Sequence, residues 1–342
     1  MRVRTVLWMV FSFVGVMFLS SGNTYADKKV TLGLCSSTTP GTAIELTADR
    51  FKELVEKKSN GHIEIVRYGA GELYKDIELF EAISGGSIEM GCLSGPRTGM
   101  RSRPAEFISG MLGLGLWDGV EHYRRFLDTP EVREILSNEL RVKFNAKVLA
   151  PWAYGMGCLA SRVPLHTVAD FQGVRVRTLG SGEAIVYKSL GAIPNEMSSS
   201  EIYLALQRGI IDAANSGPPR WLKGKYYEVA PYIVDIHHLP ENIHILVMNI
   251  DRWNKLQPEE QKILQETATE LEAWCRKQVD REREETFDAL RRQKEVKEVY
   301  IFPKDASKEV RGKVQPAMTE YVMKTLDKEM GPKLLGLLES TR

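Results

Sequence analysis

The feature that most constrains the fold is a long helical segment near the C-terminal end of the chain. From Glu259 to Lys294 the sequence contains neither Gly nor Pro, and Ile263, Leu264 and Leu271 recur at helical spacing. Pro258 stands at the first helical turn, where Pro is favoured. Such a helix would be roughly 50 Å long, whereas a small domain is about 30 Å across. It therefore cannot belong to one lobe alone, and we interpret it as a strut lying across two lobes.

Strands and helices alternate in the first part of the chain. The predicted strands are Lys29–Leu34, His62–Tyr68 and Ile88–Leu93, and the predicted helices between them are Thr42–Lys58 and Asp76–Ser84. This alternation is typical of a parallel α/β sheet. Open α/β sheets place ligands beyond the carboxyl ends of their strands. Ser94 and Gly95, which follow the third strand, are therefore candidate ligand contacts.

The chain contains one internal repeat. The segment from Glu78 to Glu89 matches the segment from Glu201 to Asp212 at identical internal spacing, with Gly86 and Gly209 at equivalent places. Both segments predict a helix, a Gly stop and then a strand. Two lobes built on the same plan explain the match, and a chance match is the alternative. Two similar lobes imply a cleft between them, which is a preferred place for a small ligand.

The segment from Asp170 to Gly217 carries the main candidate site. Apolar and polar residues alternate up to Arg177, which predicts a half-buried strand, and Gly180-Ser181-Gly182 then opens a helix. The free N–H groups of a helix start attract an anion. A guanidinium beside it could hold a carboxylate through two parallel bonds. An ordinary structural ion pair is the alternative role of Arg177.

Aromatic residues near the predicted lobe junctions are further candidates for the cleft. Most aromatic side chains lie in cores, but some of these could line the ligand space. The four are Trp117, Trp152, Tyr154 and Trp221.

Sequence signatures of catalysis and of metal binding are weak or missing. The chain has no nucleophile elbow, zinc-protease helix, phosphate loop or calcium loop, so we expect neither an enzyme nor a cofactor. His237, His238 and His244 lie along an apolar strand region without supporting carboxylates, which favours a structural role. The four cysteines contain no CxxC, and a bridge between Cys35 and Cys92 is only a guess. A net charge of +1 gives no indication of nucleic-acid binding.

The N-terminus has the pattern of a signal peptide. Arg2 and Arg4 precede the uncharged segment Val6–Leu19, which is too short to span a bilayer comfortably. Small residues up to Ala26 then offer a cleavage site. We expect residues 1–26 to be removed on export to the periplasm, and an uncleaved anchor is the alternative.

Three motifs in the candidate segment together resemble a known family. They are Asp170-Phe-Gln-Gly-Val-Arg-Val-Arg177, Leu190-Gly-Ala-Ile-Pro194 and Glu201-Ile-Tyr-Leu-Ala-Leu-Gln-Arg-Gly-Ile-Ile-Asp212. These motifs resemble those of the DctP-type solute-binding proteins of tripartite ATP-independent periplasmic (TRAP) transporters. The resemblance covers essentially the whole mature chain.

The resemblance implies a two-lobed periplasmic-binding-protein clamshell with a hinge. Its mixed sheets would be flanked by helices, and one long helix would span both lobes. We expect lobe I to comprise residues 27–151 and about 241–280, and lobe II residues 152–240 and about 281–342. The helix 258–294 would be shared.

The resemblance also implies a function. The cargo would be an organic acid whose carboxylate is held by Arg177, and the loaded protein, expected to be a monomer, would deliver it to membrane permease subunits. The family's contact positions map onto Cys35, Ser94, Ser199, Asn215 and Ser216. A ligand-sensing periplasmic protein and a secreted α/β enzyme acting on a small organic acid are the alternatives.

Two departures from the family pattern bear on the cargo. Many acid-binding members carry a second Arg in the segment matching Tyr154 to Cys158, and Gly157 stands there in this chain. Asn215 and Ser216 also replace the Glu or Asn often found at their place. These departures favour a monocarboxylate with an apolar or aromatic body.

Overall fold

The computed structural model describes residues 29–36, 43–74, 76–94, 102–110, 112–178, 180–197, 201–237 and 240–342. The predicted signal peptide and the predicted contacts Gly95 and Ser199 lie outside the described residues, as does His238.

The strands in the described residues form two mixed sheets. They are β1 (Val30–Ser36), β2 (Ile63–Tyr68), β3 (Met90–Ser94), β4 (Ala146–Met156), β5 (Cys158–Ser161), β6 (Arg175–Thr178), β7 (Ile193–Glu196), β8 (Ala213–Ser216), β9 (Tyr232–Asp235), β10 (Pro240–Asn249) and β11 (Glu298–Ile301). The first sheet has the order β2-β1-β3-β10-β4, and the second has the order β11-β9-β5-β8-β6-β7. Each sheet thus joins parallel strands to antiparallel ones.

Helices pack on both sheets. They are α1 (Ala43–Lys58), α2 (Asp76–Ser84), α3 (Arg103–Ile108), α4 (Val120–Asp128), α5 (Pro130–Phe144), α6 (Ser181–Ser189), α7 (Ile202–Gln207), α8 (Pro218–Lys223), α9 (Ile250–Trp253), α10 (Pro258–Arg291), α11 (Lys304–Thr325) and α12 (Met330–Ser340). Two short 3₁₀ turns cover Val168–Phe171 and Tyr226–Glu228. The architecture is the predicted two-lobed α/β clamshell.

The chain passes between the two sheets at two places. β4 of the first sheet is separated from β5 of the second by Gly157 alone. β9 of the second sheet is followed by β10 of the first after residues 236–239. Because β4 ends and β10 begins at the same edge of the first sheet, both crossings lie at that edge. The edge also carries the carboxyl ends of β1, β2 and β3.

Helix α10 is the predicted strut. It begins at Pro258, where Glu260 accepts a hydrogen bond from the Gln257 N–H at 2.7 Å and completes a capping box. Its apolar residues from Ile263 to Val279 lie in the core beside the first sheet, whereas Phe287 and Leu290 lie in a core of the second. The prediction that one helix spans both lobes is confirmed.

A side chain near the middle of α10 contacts both lobes. Glu282 Oε2 accepts from the backbone N–H of Ala43 in α1 at 3.3 Å, and Glu282 Oε1 lies 3.6 Å from Nζ of Lys223 in α8. The helix is therefore tied to each lobe by polar contacts as well as by apolar packing.

The two copies of the internal repeat have the same local structure. α2 and α7 each end before a glycine with left-handed backbone, Gly86 at φ +76° and Gly209 at φ +69°, and a strand follows each time. A side chain at this φ would be strained, which explains the Gly in both copies.

The C-terminal residues contact the first part of the chain. His122 Nε2 lies 2.9 Å from the Leu338 carbonyl, and Arg342 pairs with Asp118. The predicted division of the chain, with residues 281–342 in lobe II, stays a prediction.

The four cysteines are buried thiols. Cys35 is aligned with Gly91 in the neighbouring strand, whereas Cys92 is aligned with Ser36. Cys35 and Cys92 therefore point to opposite faces of the sheet and lie in different cores, so this structure does not pair them. Within the described ranges, no helix combines the length and the apolar character needed to cross a membrane.

Candidate functional site

Arg177 lies near the carboxyl end of β6, between β7 and β8. Its side chain is almost fully buried, with 3% of the residue exposed, and its Nε donates to the Met197 carbonyl at 3.1 Å. Arg175 lies two residues earlier on the same face of the strand. Its half-exposed guanidinium donates to both carboxylate oxygens of Asp212, at 2.8 and 2.7 Å. Arg175 thus forms a structural ion pair, while Arg177 lies buried near the carboxyl end of the same strand.

The surroundings of Arg177 disfavour its charge. Burial lowers the pKa of the guanidinium, and this effect exceeds the opposing effect of the Glu183 carboxylate. The Arg220 guanidinium also lowers the pKa of Arg177. A carboxylate brought to this place would therefore stabilise a buried cation, which is what an anion-binding site needs.

A second set of buried polar side chains lies beside Arg177. Glu183 stands in the first turn of α6 and is 5% exposed, and Asn215 in β8 is 7% exposed. Asn215 Nδ2 donates to Glu183 Oε1 at 3.0 Å. One helical turn after Glu183, the fully buried Tyr187 has its pKa raised by burial and by the Glu183 carboxylate. The phenol therefore stays neutral.

Gly157, at the first crossing between the sheets, touches this set. A Cβ atom on Gly157 would lie 2.6 Å from Asn215 Oδ1 and 3.3 Å from Asn215 Nδ2. A larger residue, such as the second Arg of other family members, does not fit there while Asn215 keeps its place. The Asn215 amide therefore packs directly against Gly157.

The other predicted site residues lie at or near the carboxyl ends of strands in both sheets. Cys35 precedes the last residue of β1, and burial raises the pKa of its thiol to about 11. Ser94 ends β3 beside His244, and Tyr154 lies in β4 next to the crossing. Ser216 ends β8 opposite Cys158. Their roles as ligand contacts stay predictions.

Trp221 lies in the core beside the second sheet. Its indole is fully buried, donates from Nε1 to the Cys158 carbonyl at 3.1 Å and packs edge-on against Tyr226 with ring centroids 5.1 Å apart. Trp117 and Trp152 are also fully buried. The indole hydrogen bond holds Trp221 against β5, the strand that begins directly after Gly157. Direct contact between Trp221 and a ligand stays a prediction.

A buried ionic network that the sequence does not predict lies at the end of β1. Ser36 Oγ donates to Glu45 Oε1 at 2.7 Å, and Arg67 Nη2 donates to Glu45 Oε2 at 2.6 Å and to Ser36 Oγ at 3.0 Å. Arg67 Nη1 also donates to the Leu34 carbonyl at 3.1 Å. The three side chains come from β1, α1 and β2, so no local spacing in the sequence points to them.

His244 lies at the same edge of the first sheet. It is 3% exposed, and burial lowers the pKa of its imidazole to about 3. It is therefore neutral at physiological pH. In the part of the chain that the structure describes, no cluster of three or more potential metal ligands occurs.

Two α/β lobes, a helix across both and a cleft edge lined by buried polar groups define a two-lobed solute-binding protein. Comparison with known proteins is consistent with this class. Residues 34–325 match the family described as "Bacterial extracellular solute-binding protein, family 7" (DctP). The chain belongs to this family, whose members in TRAP transporters are solute-binding receptors rather than enzymes.

Relatives and solved structures agree. The chain is 26% identical over 259 residues to the sialic acid-binding periplasmic protein SiaP of Vibrio cholerae, covering 75% of this chain and 79% of that protein. It is 28% identical over 261 residues to the C4-dicarboxylate-binding periplasmic protein DctP of Rhodobacter capsulatus, covering 74% of each. The crystal structure of a TRAP periplasmic solute-binding protein from Ochrobactrum anthropi matches with a TM-score of 0.83 at 23% identity, covering 92% of this chain and 96% of that one.

Proposed function

We propose that this chain captures an organic acid in the cleft between its lobes and delivers it to the membrane permease of a TRAP transporter. The observation that carries the cargo class is the buried Arg177 at the carboxyl end of β6. Burial lowers the pKa of its guanidinium, and a carboxylate in contact with it would form charge-assisted hydrogen bonds.

The relatives support an acid as cargo. One is named for sialic acid and another for C4-dicarboxylates. A structure with the same fold, from Advenella mimigardefordensis, was solved with galactonate at a TM-score of 0.78, 21% identity and coverage of 92% of this chain and 99% of that one. These ligands are all carboxylates, although they differ in size and in the rest of their structure.

The test is calorimetric titration of Arg177 variants with the acid that mass spectrometry identifies in the purified protein. Arg177→Lys keeps the charge but loses the planar fork, so binding should weaken clearly. Arg177→Ala should cost about 2–5 kcal/mol, which is roughly 30-fold to several thousand-fold in Kd.

A matched control lies on the same strand. Arg175→Lys changes an arginine that is already paired with Asp212, so ligand affinity should stay near that of the wild type. Thermal melts without ligand show whether each variant is folded. Wild-type affinity in Arg177→Ala would refute the assignment of the site, and unfolding of that variant would show that Arg177 has a structural role instead.

Export to the periplasm with removal of the signal peptide is part of the same proposal. It is supported by the basic residues, the uncharged segment Val6–Leu19 and the small residues up to Ala26. N-terminal sequencing of the exported protein should start at or near Asp27. An exported chain that retains Met1 would contradict the cleavage.

A further inference from the structure

His122 joins the last turn of α12 to the start of α4. Its imidazole is buried, with 1% of the residue exposed. Nδ1 accepts a hydrogen bond from the backbone N–H of Asp118 at 3.1 Å, and Nε2 lies 2.9 Å from the carbonyl oxygen of Leu338. Because a carbonyl oxygen only accepts, Nε2 carries the hydrogen and Nδ1 carries none. The two contacts together therefore require the neutral imidazole.

The surroundings of His122 oppose its protonation. Burial lowers the pKa of the imidazole, and the guanidinium groups of Arg342 and Arg125 lower it further. The Asp118 carboxylate, 3.9 Å from Nδ1, acts in the opposite direction, but it already pairs with Arg311 and Arg342. The charged groups around the ring come from the loop before α4, from α4, α11 and α12, and they are Asp118, Arg125, Arg311, Glu339 and Arg342.

Helix α12 is attached to the rest of the fold by a small apolar face. Among its 11 residues, all of them described, Gly331, Leu334 and Leu338 are buried. The ion pair of Lys333 with Glu131 is solvent-exposed and adds little. An element with little buried apolar surface opens locally at a lower free energy than the whole fold. Such an opening of α12 would remove the Leu338 carbonyl from His122 and expose the imidazole to water.

Helix α11 connects this part of the molecule to the second sheet. At one place it contacts the loop before α4, where a Cβ on Gly115 would lie 2.5 Å from Val314 Cγ1. Further along, the Tyr321 hydroxyl lies 2.5 Å from Ser181 Oγ, at the start of α6. Since α11 packs on both α6 and α12, the attachment of α12 bears on the helix that follows Arg177.

We propose that His122 is an acid-sensitive clasp, which holds the end of α12 against the loop before α4 when neutral and releases it when protonated. An imidazolium would turn a second donor towards the Asp118 N–H, so that contact must break. After α12 has opened, His122 takes up a proton near pH 6.5, as an unfolded His does, whereas the closed clasp takes it up only at lower pH. The clasp is therefore at full strength above about pH 6.5 and weakens as the pH falls below that value. This inference does not depend on the identity of the ligand.

The test is hydrogen–deuterium exchange of the ligand-free protein, read by mass spectrometry at pH 7.5, 6.5 and 5.5. Protection factors correct for the change of the intrinsic exchange rate with pH. Between pH 7.5 and pH 5.5, the protection of the α12 amides should fall by about three- to tenfold, since the open state gains a proton that the closed state excludes.

Three variants assign this dependence to the clasp. His122→Gln still offers a donor to the Leu338 carbonyl but does not titrate, so the protection of α12 should lose its dependence on pH, whatever its absolute level. His166→Gln is the matched control, because His166 is an exposed His that pairs with Glu298 beside the second sheet, and it should keep the wild-type dependence. His244→Gln should keep it as well, because His244 is buried in the first sheet and stays closed while α12 opens.

A second measurement needs no variant. Exchange of the imidazole C2 hydrogen in the folded wild type reports the protonation of His122 directly, and His122 should titrate below the value of about 6.5 of an unfolded His. Titration at or above that value would overturn the proposal. So would protection of α12 that does not change with pH, a dependence that His122→Gln retains, or one that His244→Gln removes, since the last would mean that α12 opens only with the whole fold.

Discussion

Replacement of Gly157 by Ala probes the contact between the first crossing and the Asn215 amide without changing Arg177. The new Cβ would lie 2.6 Å from Asn215 Oδ1, whereas ordinary contacts of a Cβ begin near 3.4 Å. The Asn215 amide must therefore retreat by about 0.8 Å. Gly157 itself is not in the left-handed region, so backbone strain adds nothing to the effect.

The magnitude follows from the hydrogen bond that this movement disturbs. A movement of that size disturbs the hydrogen bond from Asn215 Nδ2 to Glu183 Oε1, which is 3.0 Å long. A hydrogen bond to a charged group contributes about 1.5–3 kcal/mol. Replacing Gly by Ala restricts the unfolded chain and returns about 0.4–1 kcal/mol. We therefore expect a net loss of about 0.5–2.6 kcal/mol in the free energy of unfolding.

The assay is urea unfolding of the ligand-free protein, followed by tryptophan fluorescence. Gly312→Ala is the matched control, because Gly312 lies inside α11 with no atom within 4 Å of a new Cβ. That variant should be more stable than the wild type by roughly 0.5–1 kcal/mol. If Gly157→Ala gained as much stability as Gly312→Ala, the Asn215 amide would not be held as described and the reasoning would be refuted.

Two further predictions concern buried titratable groups. His244 is neutral in the fold, with a pKa of about 3, whereas an unfolded His titrates near 6.5, so the unfolded chain takes up the proton first. Its contribution to stability is complete above about pH 6.5 and falls by about 1.4 kcal/mol per pH unit towards pH 3. Urea titrations over this range should show a smaller slope for His244→Gln, and an equal slope would contradict this account. The four buried cysteines should all resist a thiol reagent in the native protein and all react after denaturation; a count of two after denaturation without reductant would reveal a disulfide.

Most long elements could be predicted from the sequence because their signals are local. α2 has the predicted bounds, and α10 begins at the predicted Pro258, since Pro, Gly and apolar periodicity mark those ends. The short strands β5, β7 and β9 were missed. Unlike β6, none of these four-residue strands alternates between apolar and polar residues, and β7 contains Pro194 on the edge of the sheet.

The candidate site could be predicted only in part, for a related reason. Arg177 stands in an alternating strand before a Gly/Ser turn, so one stretch of sequence points to it. Glu183 looks like an ordinary first-turn acid of an exposed helix, which is a favourable position on electrostatic grounds alone. Only the pairing of β6 with β8 brings Asn215 within 3.0 Å of it across 32 positions of sequence. Such convergence is a tertiary property that local patterns do not contain.

The internal repeat acquires a physical meaning from the contacts of its last residue. In the first copy, Glu89 accepts a hydrogen bond from the backbone N–H of Gly33 in β1 at 2.8 Å. In the second copy, Asp212 accepts one from the backbone N–H of Arg175 in β6 at 3.0 Å. Each acid stands just before a strand and reaches the parallel strand beside it. In both lobes the acidic residue therefore ties two neighbouring parallel strands together, so the repeat is a feature of the scaffold. The chemistry that distinguishes the second lobe is that of Arg177.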